Sequence, residues 1–110
     1  MKRRSSEAVD AALAIRHTVV FRLKWAAGSP EEGAFFRATE ALASIPQVQQ
    51  FERLRQVSTK NNYTFGLSMQ FADETAYAGY NRHPVHLSFV RDHWIPEVEA
   101  FMEIDYVALL

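Results

Sequence analysis

The sequence predicts one α+β domain in which a single antiparallel sheet carries helices on one face only. Two segments, residues 15–23 and 63–71, place apolar side chains at every second position, which is the period of a half-buried strand. Each of these segments is followed by a helix start signal, at Ser29 and at Asp73. The chain has 110 residues, enough for one ordinary core.

The first half predicts a strand, a helix and a second strand. The first strand carries Ile15, His17, Val19, Phe21 and Leu23 on one face. Ser29 can cap the following helix, Pro30 suits its first position, and Glu32 completes a capping box. The buried stripe of that helix is predicted from its apolar spacing, and Pro46 ends it: Phe35, Ala38, Leu42 and Ile45. Residues 48–57 have apolar residues at helical spacing, but because they follow Pro46 directly we interpret them as a strand.

The second half repeats this order. A polar turn over residues 58–62 precedes the third strand, from Tyr63 to Phe71. Asp73 begins a second helix that continues to about Arg82 and is ended by the dipeptide at 83–84. A short helical segment from Pro84 to about His93 and a last strand over residues 98–108 complete the chain.

Strand, helix and strand, twice, with a hairpin between the halves, is the ferredoxin-like βαββαβ pattern. Helices cover one face of such a sheet, so its other face is polar or is covered by something else. Apolar side chains are predicted on that open face in two alternative sets, Val20 with Phe101 and Val107, or Val20 with Ala100, Met102 and Ile104. A second copy of the chain is the simplest cover, and we expect a homodimer.

Composition excludes several classes of function. Twelve Lys and Arg residues against thirteen Asp and Glu residues give a formal charge of −1, which does not suit a nucleic-acid partner. The chain contains no cysteine and no apolar run long enough to cross a membrane, and we expect a cytoplasmic protein with no membrane partner. Residues 1–14 are expected to form a flexible tail before a domain over residues 15–110.

The segment from Tyr80 to His86 contains a phenol, two imidazoles and a guanidinium where a helix must end. Such groups donate, accept or transfer protons near neutral pH. His83 and His86 are three residues apart, but a zinc site needs at least three protein ligands, and the isolated glycines form no phosphate loop. We therefore expect neither a metal nor a cofactor.

Five segments, in this order, resemble the stress-responsive A/B barrel (Dabb) domains of the dimeric α/β-barrel superfamily. They are residues 15–21, 45–48, 62–64, 83–86 and 104–106, which together span almost the whole chain. The resemblance implies a ferredoxin-like subunit whose sheet pairs with that of a second copy to form a barrel. It fixes no reaction, because one fold carries many functions.

Plant polyketide cyclases of this family perform an aldol-type ring closure without metal or cofactor. Residue by residue, the resemblance places their catalytic groups at Tyr80, His86 and Asp105, and places His17 in the pocket. In that scheme the carboxylate fixes the tautomer of His86, which acts as base, and the phenol holds an enolate oxygen. A further pocket histidine of the cyclases corresponds to Phe65 here, so the substrate is expected to differ. The other residues expected to line the pocket are Val19, Phe21, His83 and Trp94.

Three hypotheses follow from the sequence. The first is a small dimeric protein with a pocket for a small hydrophobic or β-keto-type ligand. The second is a cofactor-independent acid/base enzyme that uses His86, Tyr80 and Asp105. The third is a structural association module without a pocket, in which His86 and Asp105 form only a satisfied polar pair, His17 is a core histidine, and the dipeptide at 83–84 simply stops a helix.

Overall fold

A computed structural model describes residues 13–110, and the predicted tail falls largely outside this range. One four-stranded antiparallel sheet has the order β2-β3-β1-β4. Its strands are β1 (Ile15–Leu23), β2 (Gln49–Arg55), β3 (Phe65–Phe71) and β4 (Val98–Tyr106). The helices are α1 (Pro30–Ala43), α2 (Glu74–Arg82), α3 (Pro84–Phe89) and the single turn α4 (Ile95–Glu97), and a π-helical turn (Val90–Trp94) joins α3 to α4.

The ferredoxin-like α+β fold predicted from the sequence is confirmed. Residues 48–57 contain a strand despite their helical spacing, and this strand has an irregularity between Gln49 and Glu52. Gln50 there has φ 50°, whereas the residues of a right-handed helix have negative φ, so this stretch is not helical. Several boundaries differ from the prediction. The first half has a shorter helix and strand: α1 ends at Ala43, before Ile45, and β2 covers only Gln49–Arg55. In the second half β3 begins at Phe65, the helical segment after Pro84 extends to Glu97, and β4 ends at Tyr106.

Side-chain caps begin both long helices at the predicted residues. The Ser29 hydroxyl accepts a hydrogen bond from the Glu32 N–H at 3.2 Å, and the Asp73 carboxylate accepts one from the Ala76 N–H at 2.8 Å. The reciprocal half of the predicted capping box does not form, since the Ser29 N–H donates to the Ala26 carbonyl. No helix within residues 13–110 is long and apolar enough to cross a membrane.

An aromatic cluster fills the space between the sheet and the helices. Phe21 is fully buried at its centre, and its ring centroid lies 5.0 to 6.1 Å from those of four other aromatic rings, Phe35, Phe36, Phe65 and Trp94. Aromatic rings at such separations are attracted to one another beyond the area that they bury. This cluster packs the helices against the sheet around Phe21, and a second group of rings, Phe71, Tyr77 and Tyr80, lies beside His17.

The pairing of β1 with β4 decides which residues lie on the open face of the sheet. Val20 pairs with Met102, and Thr18 pairs with Ile104, so these side chains share the face that no helix covers. Phe101 pairs with Phe21 and therefore lies on the helix face. Of the two sets predicted for the open face, the correct one is therefore Val20 with Ala100, Met102 and Ile104. Met102 is 46% exposed, and Leu54 of β2 is 45% exposed, which leaves an uncovered apolar face.

We expect this apolar face to associate with a second copy, so that the wild-type protein sediments at twice the 12.6 kDa of one chain. Met102→Arg should raise the dissociation constant of the dimer at least about tenfold, because it places an unpaired charge in a dry interface. Leu87→Arg, at a helix position that is 53% exposed, is the matched control and should leave the dimer unchanged. Sedimentation of the wild type as a 12.6 kDa species alone would contradict the prediction.

Candidate functional site

A cavity of about 270 Å³ lies between the sheet and the helices that cover it. Its floor comes from β1, β3 and β4, and its wall comes from α1, α2, α3 and the π-helical turn. The lining residues are His17, Val19, Leu42, Leu67, Met69, Tyr80, Asn81, His86, Phe89, Val90, Trp94, Phe101 and Glu103. The cavity is therefore largely apolar and carries a few polar groups that converge on it, as small-molecule sites do.

Asp105 contacts His17 and not His86, so the predicted pairing of His86 with Asp105 is wrong. The distance from His17 Nδ1 to Asp105 Oδ1 is 2.5 Å. The two residues are cross-strand partners in the register of β1 and β4, which brings their side chains together on one face. His86 lies on α3, away from this strand pair, and its Nδ1 donates to the Asn81 carbonyl at 3.2 Å.

Tyr77 completes a three-residue network with His17 and Asp105. Its hydroxyl donates to Asp105 Oδ2 at 2.8 Å, and its oxygen lies 2.9 Å from His17 Nδ1. Burial and this hydrogen bond to the carboxylate raise the pKa of Tyr77 well above its usual range. The phenol therefore stays protonated at neutral pH and fixes the second oxygen of the carboxylate.

The network leaves one nitrogen of His17 available to a ligand. Because the carboxylate accepts a proton from Nδ1, the neutral imidazole carries its lone pair on Nε2. Nε2 has no hydrogen-bond partner within residues 13–110, and the side chain lines the cavity. His17 is 6% exposed, so a ligand would meet this nitrogen in a largely dry environment.

Tyr80 and His86 lie together in the cavity wall, with ring centroids 4.4 Å apart. Burial lowers the pKa of His86, so its imidazole is neutral at pH 7. Burial and, secondarily, the negative charge of Glu103 raise the pKa of Tyr80 well above its usual range. The wall thus offers a phenol that donates a proton in a hydrogen bond and an imidazole that accepts one.

The structure brings together five of the nine residues predicted for the site: His17, Val19, Tyr80, His86 and Trp94 line the cavity. Asp105 lies behind His17. Phe21 and Phe65 are not in the cavity lining, because both are packed in the aromatic cluster. His83 is not there either, since its imidazole accepts a hydrogen bond from the Val85 N–H at 3.1 Å and caps α3. The catalytic roles of His86, Tyr80 and Asp105 remain predictions.

Sequence reasoning missed Tyr77, Phe101 and Glu103. A signal for Tyr77 was present, because it stands three residues before Tyr80 and such positions share a helix face. Phe101 and Glu103 alternate with Asp105 along β4, so placing Asp105 on the helix face places them there as well.

The π-helical turn forms part of the cavity wall through Val90 and Trp94. Such turns are rare in proteins, and those that do occur are frequently at functional sites. The extra residue in the turn displaces a side chain from the position it would have in a regular helix. Within residues 13–110, no group of three or more histidine, aspartate or glutamate side chains could hold a metal ion. The polar side chains that line the cavity include imidazole, phenol and carboxylate groups.

Fold and site together define a small ferredoxin-like protein with an aromatic cavity that contains acid/base groups. The sequence model of the stress responsive A/B barrel domain family (Dabb) matches residues 15–108, and the chain belongs to that family. A curated relative is a stress-response A/B barrel domain-containing protein of Arabidopsis thaliana. It is 27% identical over 96 residues, which cover 86% of this chain and 36% of the relative. The chain thus spans about a third of that relative's length.

Solved structures show the same fold. A Dabb family protein of Mesorhizobium loti, with a ferredoxin-like fold, is 57% identical and has a TM-score of 0.86 over 88% of this chain and 98% of its own. A dimeric ferredoxin-like protein of Thermobifida fusca is 20% identical, with a TM-score of 0.72 over 86% and 91%. A hydroxynitrile lyase of Passiflora edulis is 16% identical, with a TM-score of 0.77 over 87% and 94%. At these lower identities the likeness shows the fold alone.

Asp105→Asn should lower the free energy of unfolding by about 1–3 kcal/mol, because hydrogen bonds to a charged group are lost beside a buried imidazole. Urea unfolding measures the change. Glu99→Gln is the matched control on the same strand: Glu99 pairs with Arg22 at the surface, and its loss should cost less than about 0.5 kcal/mol. Equal losses in the two variants would show that the contacts of Asp105 are no stronger than a surface pair.

The lowered pKa of His86 predicts a pH dependence of stability. Below its ordinary value of 6.5 the unfolded chain takes up the proton before the folded chain does. The wild type should therefore lose stability as the pH falls through 6.5 toward the lower pKa of the folded state. His86→Asn should lose less over the same interval in urea unfolding from about pH 8 to pH 5. Identical slopes for the two proteins would contradict the prediction.

Proposed function

We propose that the protein binds a small, largely apolar molecule in this cavity and does so as a homodimer. The observation that carries the proposal is an open space of about 270 Å³ that reaches His17, Tyr80 and His86. A module that served association alone would gain stability by filling such a space with side chains. The dimeric state of the Thermobifida fusca protein supports the homodimer. The cytoplasmic location expected from the sequence stays a prediction.

The polar groups favour a ligand that carries a carbonyl or hydroxyl oxygen. Tyr80 can donate a hydrogen bond to such an oxygen, and Nε2 of His17 can accept a proton from it or from a neighbouring carbon. Both side chains line the cavity with ring centroids 6.3 Å apart, so one functional group of a ligand can contact both of them. β-Keto compounds, the class expected from the sequence, fit this arrangement.

A second candidate function is cofactor-independent acid/base catalysis on that ligand. The network of His17, Asp105 and Tyr77 favours it, because a carboxylate beside Nδ1 stabilises the imidazolium that forms when Nε2 takes a proton. His17 is therefore a candidate for the base beside His86: Nδ1 of His17 is bonded to a carboxylate, whereas Nδ1 of His86 is bonded to a neutral carbonyl. Tyr80 would stabilise the negative charge that develops on the substrate oxygen.

The fold likeness to a hydroxynitrile lyase suggests α-hydroxynitriles as a second substrate class. Their cleavage needs the same device: a base removes the hydroxyl proton, the bond to the nitrile carbon breaks, and cyanide leaves as the carbonyl forms. Both substrate classes include molecules small enough for a cavity of about 270 Å³.

Binding and catalysis are separated by two kinds of variant. Val19→Phe adds a ring to the cavity floor and should abolish the rise in melting temperature that β-diketones, β-keto esters and α-hydroxynitriles produce in the wild type. His17→Asn and Tyr80→Phe should keep this rise but lower turnover by about a hundredfold or more. His93→Asn is the control, since His93 pairs with Glu97 outside the cavity lining.

The outcomes distinguish the candidates. Wild-type protein whose melting temperature no compound raises would refute binding and catalysis together. A rise in melting temperature without turnover would refute the enzyme and leave the binding protein. Loss of turnover in His86→Asn but not in His17→Asn would return the role of base to His86.

A further inference from the structure

The charged groups that line the cavity are acidic rather than basic. Glu103 is the lining carboxylate, the two lining histidines are His17 and His86, and no lysine or arginine belongs to the lining set within residues 13–110. His86 is uncharged at neutral pH because burial lowers its pKa. The carboxylate of Asp105 lies just behind His17 and adds to the negative potential.

Glu103 lies on the cavity side of β4 at the rim. It pairs with Val19 across β1 and β4, so its side chain shares the helix face with that of its partner. The residue is exposed, and the carboxylate forms no hydrogen bond or ion pair with any residue in the range 13–110. Its charge nevertheless acts inside the cavity, where it contributes to the raised pKa of Tyr80.

Aromatic rings stand beside this carboxylate. Trp94 and Phe101 meet edge to face with ring centroids 5.4 Å apart, and Tyr80 and Phe89 complete the aromatic wall. Aromatic faces carry partial negative charge and attract cations, most strongly in the case of tryptophan. A carboxylate that shares a cavity lining with aromatic rings, with no lysine or arginine in that lining within residues 13–110, is the environment of a site for an organic cation.

We propose that Glu103 determines the charge preference of the cavity, which takes small apolar amines in their cationic form ahead of neutral analogues and rejects carboxylates and phosphates. This inference rests on the proposed function, because it describes the ligand of the same cavity. Among the β-keto compounds of the proposed function, this preference favours esters, ketones and amino ketones as ligands and excludes free β-keto acids. No ring closure or cleavage is needed for it to hold.

The experiment uses three probes of similar size and different charge: 3-phenylpropylamine, 3-phenylpropanol and 3-phenylpropanoate. Affinities are measured at pH 7.5 by calorimetry on the full-length protein. The wild type should bind the amine about threefold to tenfold more tightly than the alcohol, and the carboxylate more weakly than the alcohol by a similar factor, as for one unit charge at a wet rim. Glu103→Gln should bring the three affinities together.

Glu99→Gln is the matched control, because it makes the same change four residues earlier on β4 at a position that does not line the cavity. It should keep the wild-type ranking. A salt series on the wild type tests the same point without any variant, since added salt should bring the amine and carboxylate affinities together.

The results separate this inference from the proposed function. If the wild type binds none of the three probes, the inference fails, and the proposed function is judged separately by the β-diketones, β-keto esters and α-hydroxynitriles named above. If it binds all three equally, or if Glu103→Gln keeps the full ranking, the cavity binds ligands but Glu103 does not select their charge, and the inference is overturned. A ranking of amine, alcohol and carboxylate that disappears in Glu103→Gln and persists in Glu99→Gln establishes it.

Discussion

The register between β1 and β4 determines which side chains can meet in the cavity. It sets His17 opposite Asp105, Val19 opposite Glu103, and Phe21 opposite Phe101. A shift of one residue would turn all three β4 side chains to the other face of the sheet. His17 would then lose its carboxylate, and Met102 and Ile104 would enter the space between sheet and helices. The acid/base network, the charge at the rim and the apolar outer face all follow from this one alignment.

The helical half of the site depends on the interruption between α2 and α3. Tyr80 and His86 are six residues apart, and in one continuous helix they would lie about 120° apart around the axis. His83 and Pro84 end α2 and begin α3, and the change of direction brings the two rings to a centroid distance of 4.4 Å. The imidazole of His83 accepts a hydrogen bond from the backbone at the start of α3. The residue that was expected to line the pocket therefore caps this helix instead.

The fold was predictable because its signals are local. Apolar residues at every second position defined β1 and β3, and Ser29 and Asp73 marked where the two long helices begin. The partner of Asp105 was not predictable in this way, because the register of β4 depends on an irregularity between Arg22 and Leu23 that leaves no mark in the sequence. Family resemblance placed Asp105 in the site but assigned it to His86. Tyr77 lies before the segment in which the candidate groups are concentrated, and only its helical spacing from Tyr80 pointed to it.

β4 serves two surfaces with alternate residues. Glu103 and Asp105 face the cavity and its imidazole, whereas Met102 and Ile104 face outward on the apolar side of the sheet. It is also an edge strand, and within residues 13–110 its only neighbour in the sheet is β1. A tilt of this strand that improves packing on one side necessarily moves the carboxylates on the other. Mutations on the two sides of β4 are therefore not independent, and the effects of paired substitutions there should depart from additivity although the two sets lie on opposite faces of the sheet.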